Sequence, residues 1–411
     1  MSVKHWGALL ASASLLAGCA ATPPSSNSLD EALHTVQHSY APDRRLTLFD
    51  VKIQDGQLVG EVENPEALTL LQSRLGKTIV EGVRLAPDEQ TLTQTPYALV
   101  STCVATLLAR PAFAASTVTQ AVHGTPLRVL TRARFWRVQT PDGYIGWVHP
   151  LQITPLSTER LEAWNRSPKL LVTSPSLILA NDAQSVAARL TNGALVVYAG
   201  KSNGRERVQL ADGRFGWLEK GTVRPLEKHL AQMQLTAERN PEEFYAQLLA
   251  YARTLVGVPY LWGGASPLGF DCSGFVSHVW RMAGFILPRD ADQMMRAGRS
   301  VPIDDRSAIA AGSHLFFGKV KEDGTFSVSH VGLSLGDGRF IHALGEVKIA
   351  SLIPSDADYD AYNASRLIAA RRIDPRIREG ACFAAIPENV LYQVPVGAPE
   401  VCAKPQALPP Q

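Results

Sequence analysis

The sequence predicts an α+β protein of several domains: a small α+β N-terminal unit, two small β-barrels, then a mixed helix–strand domain carrying the chemistry. Three observations predict it. Residues 257–275 (GVPYLWGGASPLGFDCSGF) lie where one helix-period segment ends and another begins, at Asp271-Cys272-Ser273-Gly274-Phe275. Residues 138–148 (VQTPDGYIGWV) recur as residues 208–218 (VQLADGRFGWL), an internal repeat. From Leu226 onward, short alternating runs give way to helical periodicity. A length of 411 residues allows roughly two to four domains. A net charge of +2 without a dense Lys/Arg run gives no support to nucleic-acid binding. No apolar run is long enough to span a bilayer as a helix.

Residues 1–18 read as a secretion signal: Lys4, then a mostly apolar stretch over residues 6–16. The signal ends in Leu16-Ala17-Gly18-Cys19, which resembles the lipobox of bacterial lipoproteins. That resemblance implies export, with Cys19 as the lipidated first residue and a lipid anchor to a membrane of the cell envelope. Ala20 in place of Asp resembles an outer-membrane sorting signal, facing the periplasm if the cell is Gram-negative. Residues 19–28 are a flexible tether rich in Ala, Thr, Pro, Ser and Asn.

Residues 29–95 form the N-terminal unit. A helix is expected over residues 29–40. Strands are expected around Phe49, Val51 and Ile53 and over residues 58–62, with Asp55-Gly56 between them. Asn64 caps a helix with Pro65 at its first position, and residues 78–85 return as a strand. Residues 96–157 and 169–227 hold the repeat, joined by a short helical linker over residues 158–168. Asp-Gly makes a hairpin turn in each copy, and the repeated Trp is expected in the core of a small barrel. The two copies resemble bacterial Src-homology-3-like domains.

Residues 228–375 are the chemical domain. Asn240, Pro241 and Glu243 mark a helix start, and Phe244, Leu248, Tyr251 and Leu255 give that helix a buried stripe. Cys272 falls in the first turn of the next helix, where free backbone N–H groups favour a thiolate; a lowered thiol pKa is expected. His330 and His342 lie on two strands around Gly336-Asp337-Gly338. If all three turn residues form the loop, position 330 falls opposite 344, and both imidazoles share a face. A two-residue loop would separate them. Cys272 is then the nucleophile, His330 the base and His342 the group that fixes its tautomer. The backbone N–H of Cys272 and the Tyr260 hydroxyl are candidate oxyanion donors.

PYLWGG, FDCSGF, LPRDA, GSHLFFG and SHVGLSLGDGRFIHA fall in order across residues 240–374 and together resemble the NlpC/p60 family of cysteine peptidases. The resemblance implies a papain-like catalytic domain that cleaves bacterial cell-wall peptides with Cys272, His330 and His342. With barrels ahead of that domain, the arrangement resembles γ-D-glutamyl-L-diamino-acid endopeptidases. These cut stem peptides, as murein tripeptide or tetrapeptide, between the D-glutamate side chain and the diamino acid. On that reading Tyr260, Trp262, Asp271 and Ser273 line the D-glutamate side. The first barrel closes one end of the cleft, with Tyr144 as an aromatic wall and Asp290 as the carboxylate for a substrate ammonium. Departures are Gly312-Ser313-His314 for Gly-Asp-Leu, Ala291 for a Ser, and Ser116 where related barrels place an acid. Other readings are a non-catalytic cell-wall-binding lipoprotein, or an amidase or acyltransferase on the same core. No cofactor and no metal are expected, because paired-cysteine ligand spacing is absent. Residues 376–411 are expected to be a tail in which Cys382 and Cys402 pair after export.

Overall fold

The computed structural model describes residues 26–174, 177–180, 186–219, 221–377 and 382–396. The signal and Cys19 lie outside the described residues. The first helix is Ser26–Tyr40, so it takes in the last residues assigned to the tether.

In the N-terminal unit, Phe49–Gln54 and Gln57–Val62 pair antiparallel around Asp55-Gly56. Both turn residues have positive φ, 51° and 75°, as a two-residue hairpin of this hand requires. The Asn64 side chain accepts from the Glu66 and Ala67 N–H groups and starts the helix Pro65–Leu75. That helix crosses over to Gly82–Leu85, which joins the sheet in parallel. The expected strand at residues 78–85 is thus shorter, because Lys77–Val80 forms a helical turn first.

Two seven-stranded sheets follow, with the same topology. The first runs Ile153–Leu156, Tyr97–Val100, Pro126–Arg132, Trp136–Gln139, Ile145–Val148, Val104–Leu108, Thr117–Val122. The second, read in the same sense, runs Val223–Pro225, Lys169–Val172, Leu195–Ser202, Arg205–Gln209, Phe215–Leu218, Leu177–Ala180, Val186–Leu190. The repeated residues do the same work in both. Asp142 and Asp212 accept the N–H two residues on. Gly143 and Gly213 take φ of 81° and 87°, and the amides of Gln139 and Gln209 donate to their carbonyls. The repeated Trp departs from expectation. Trp147 and Trp217 are half-buried, and Arg137 lies over the Trp147 ring at 4.3 Å. The barrel cores are aliphatic instead, with Val138 and Val148 in one and Val208 and Leu218 in the other.

Among the described residues, the last domain is built on a six-stranded sheet covered by helices. Its six antiparallel strands run in the order Arg299–Val301, Leu367–Arg372, His314–Val320, Phe326–Gly336, Arg339–Leu344, Glu346–Ser351. The helix Cys272–Met282 buries Phe275, Val276, Val279 and Trp280 against the sheet residues Phe316, Val331 and Leu333 and the helix Pro241–Arg253. The tail is not loose where it is described. Ala384–Ala385 pairs with Phe285–Ile286, and Phe383 and Leu391 are buried. The Asn389 amide donates to the Pro141 carbonyl at 2.7 Å. This segment ties the last domain to the first barrel. Cys382 is disulfide-bonded; Cys402 lies outside the described residues. Cys103 is half-buried.

His314 is fully buried and stacks on Trp280 at 5.4 Å. Among the described residues neither ring nitrogen makes a well-formed hydrogen bond, although the Arg371 backbone lies beside the ring. Burial pushes its pKa down to about 3, so the fold holds it neutral while the unfolded chain protonates it near 6.5. Stability is therefore lost as pH falls from about 6.5 towards 3. His314→Leu should stabilise the protein by about 1–3 kcal/mol, because a buried, poorly satisfied polar ring is removed. Thermal melts should show a larger gain at pH 5 than at pH 7, and equal gains would show that His314 does not carry the acid sensitivity.

Candidate active site

Cys272 opens its helix under tight local control. The Asp271 carboxylate caps the helix, accepting the Gly274 N–H at 2.6 Å and the Gly263 N–H at 3.0 Å. A Cβ on Gly274 would lie 2.0 Å from the Gly264 carbonyl oxygen, so only glycine lets the first turn approach that loop. The sulfur faces the backbone N–H groups of Val331 and Ser273, both of which favour the thiolate. Burial and the Asp271 charge win nevertheless, and push the thiol up to about 11. The expected lowered thiol pKa is thus corrected: the helix start acts on the sulfur, but the sheet covers it.

The two histidines meet on adjacent strands. His330 Nε2 and His342 Nδ1 are 2.8 Å apart. The turn that brings them together differs from the one expected. Gly336 pairs with Arg339, so the loop is the two residues Asp337-Gly338. A register shift between Ser334 and Gly336 adds the missing residue, and Leu333 falls opposite Ile341. The bulge restores the parity that a two-residue loop alone would have broken.

Their protonation follows from the contact. Burial holds the pKa of His330 down at about 4 and that of His342 at about 3, so both are neutral at physiological pH. One nitrogen of the pair must donate and the other accept. For His330 to take a proton on Nδ1, its Nε2 must carry the hydrogen and donate to His342 Nδ1. His342 Nε2 then carries the second hydrogen; that atom is buried and has no partner among the described residues. A reaction that needs neutral His330 should show kcat/KM level through neutral pH and falling only near pH 4. An acid limb near the ordinary histidine value of about 6.5 would contradict this.

Tyr260 is half-buried, and its hydroxyl is pushed up to about 12, first by burial and then by its neighbours Cys272 and Asp271, which disfavour a phenolate beside them. It stays a donor beside the sulfur. Trp262 is 69% exposed at the mouth of the loop. A Cβ on Gly263 would meet the Thr117 carbonyl at 2.7 Å, so this loop rests directly on the first barrel.

Asp271 and Ser273 are buried and engaged internally. Arg289, a residue the sequence reading did not single out, donates to both Asp271 oxygens at 3.1 and 2.6 Å, to Ser273 Oγ at 2.8 Å and to Thr119 Oγ1 at 2.8 Å. Their first role is to support the nucleophile's helix. Tyr144 is buried rather than a wall, and its hydroxyl donates to Asp290 at 3.0 Å. Asp290 is not vacant either: Arg45 of the N-terminal unit donates to the same oxygen at 2.9 Å. Neither Arg45 nor Arg289 carried a local sequence signal beyond the Arg-Asp of LPRDA.

Residues 257–371 match the model of the NlpC/P60 family, and residues 107–153 that of the bacterial dipeptidyl-peptidase Sh3 domain. A γ-D-glutamyl-L-lysine dipeptidyl-peptidase of Bacillus subtilis is 30% identical over 203 residues, 49% of this chain and 61% of that protein. One of the same name from Bacillus cereus is 28% identical over 249 residues, 57% of this chain and 70% of that protein. The chain thus spans about three-fifths of the first relative's length. A solved NlpC/P60 family protein from Bacillus cereus superposes with a TM-score of 0.57 at 22% identity, over 68% of this chain and 100% of that one. An NlpC/P60 endopeptidase from Photobacterium damselae subsp. piscicida gives 0.53 at 12% identity, over 85% and 93%. These two likenesses show the fold.

Proposed function

We propose that this chain, which carries an NlpC/P60 domain behind a bacterial Src-homology-3-like domain, is a cysteine peptidase of cell-wall stem peptides. The bond cut is that between the D-glutamate side-chain carboxyl and the following diamino acid. The observation that carries the reading is the contact of His330 Nε2 with His342 Nδ1 at 2.8 Å, with the sulfur of Cys272, at a helix start, facing the backbone N–H of Val331, the residue after His330. The printed names of the two relatives favour the γ-D-glutamyl bond.

In this reaction Cys272 Sγ attacks the γ-carbonyl carbon as its proton passes to His330 Nδ1. The Cys272 N–H and the Tyr260 hydroxyl hold the oxyanion. His330 then gives its proton to the leaving amine, and a thioester remains on Cys272. Water, deprotonated by His330, attacks the thioester and returns the thiol. Because the resting pair is uncharged, the sulfur becomes nucleophilic only with this transfer, which His342 supports by keeping the His330 hydrogen on Nε2.

Mass spectrometry of defined stem peptides tests the proposal. Release of L-Ala-γ-D-Glu and a peptide beginning with the diamino acid is the expected result. Cleavage at another bond, or none, would overturn it. The same reading places the protein in the cell envelope, anchored by lipid on Cys19. Intact-mass analysis of membrane-extracted protein should show the acyl mass, which Cys19→Ser should lack.

A further inference from the structure

A carboxylate meant to read a substrate's ammonium must have a free oxygen and an uncompensated charge. Asp290 keeps Oδ1, but its Oδ2 is taken and its charge is compensated by Arg45. Arg45 uses all five of its N–H groups on three carboxylates. Nε and Nη2 reach the two oxygens of Asp43 at 2.9 and 2.8 Å. Nη1 and Nη2 reach the two oxygens of Asp292 at 2.9 and 2.8 Å. Nη1 also reaches Asp290 Oδ2 at 2.9 Å, where the Tyr144 hydroxyl already donates. Five of the six oxygens in this cluster are thus turned to one guanidinium.

The backbone makes the placement firm. The Arg45 carbonyl accepts the Ile145 N–H at 2.7 Å, and the Leu46 carbonyl accepts the Gln139 amide at 2.8 Å. Gln293 Nε2 donates to Asp43 at 2.8 Å. The segment is fastened to the first barrel on one side and to the catalytic domain on the other. An incoming ammonium would have to break these bonds or take Asp290 Oδ1 against a like charge on the same carboxylate.

We propose that Arg45 is a built-in cation that stands where a substrate's amino terminus would otherwise bind Asp290. The chain therefore accepts stem peptides whose first amine is acylated, as it is in stems still joined to the glycan, as readily as free ones. The inference rests on the proposed peptidase activity and concerns only how that site reads its substrate.

The test compares kcat/KM for L-Ala-γ-D-Glu-diaminopimelate and its N-acetyl form. Wild-type protein should treat both alike, within about threefold. Arg45→Met frees Asp290 and should gain a preference for the free amine of about tenfold or more, the size of a charge-assisted hydrogen bond. Arg45→Met combined with Asp290→Asn should lose that preference again. A tenfold preference in the wild type overturns the proposal even if the variant fails to fold, and so does a folded Arg45→Met with no gain. If the wild type cuts neither peptide, the activity reading fails, and calorimetric titration with L-Ala-γ-D-Glu and its N-acetyl form decides. Equal affinities support the built-in cation; tighter binding of the free amine, or no binding of either, overturns it.

Discussion

Cys272→Ala should give a protein that melts like the wild type and releases no diamino-acid product. The substitution removes one sulfur from a half-buried position and leaves the Asp271 cap and the Gly274 turn untouched. Without the sulfur there is no atom to form the thioester, and a well-placed His330 has nothing to deprotonate except water. The rate should fall by about four orders of magnitude or more, as it does when a nucleophile is deleted from a unit that works together. His330→Ala should cost nearly as much. His342→Gln is expected to cost about tenfold to a hundredfold, because an amide oxygen still accepts from His330 Nε2. The order of the three losses matters as much as their size. If His342→Gln were as inactive as Cys272→Ala, His342 would be moving a proton itself rather than fixing a tautomer. More than trace turnover by Cys272→Ala would end the mechanism.

Features that depend on neighbours in the chain could be read from the sequence, and those that depend on folding could not. Gln139, Asp142 and Gly143 make one turn among themselves, so their repeat at Gln209, Asp212 and Gly213 was visible as a repeat of structure. Trp147 was misread because its burial depends on what lies over it, and that is Arg137 and the edge of the barrel rather than the core. The histidine hairpin shows both sides of the boundary. The roles read for His330 and His342 required them on one face, and that constraint can be met by a three-residue loop or by a two-residue loop with a bulge. The chain uses the second. The thiol is a similar case: the helix start could be read locally, while the burial that outweighs it comes only with folding, which brings the helix against strand Phe326–Gly336, far away in sequence. Arg45 is the extreme, since its carboxylate partners Asp290 and Asp292 lie more than half the chain away.

Replacing Arg289 should produce the largest loss of stability of any single change at the site. Its guanidinium is almost wholly buried and so is the Asp271 carboxylate it holds. Arg289→Met keeps much of the side-chain volume but strands Asp271 in the interior, and breaking one side of such a pair costs about 3–5 kcal/mol. Thr119 and Ser273 lose a donor at the same time, which loosens the first barrel from the nucleophile's helix. The chemistry should suffer independently of the fold. Arg289 draws the Cys272 thiol pKa down while Asp271 raises it. Taking away the cation alone leaves the raising charge unopposed. The thiol should then react more slowly with iodoacetamide at neutral pH, and its alkaline titration should move upward. Asp271→Asn, which keeps an oxygen for the helix cap, should do the reverse to the thiol if the protein stays folded. The double replacement Arg289→Met with Asp271→Asn removes both buried charges, and it should recover more than half of the stability lost by Arg289→Met alone. Urea unfolding of the four proteins measures that recovery. If the double variant is no more stable than Arg289→Met, then packing around the Arg289 side chain, not its charge pair with Asp271, holds the first barrel against the catalytic helix.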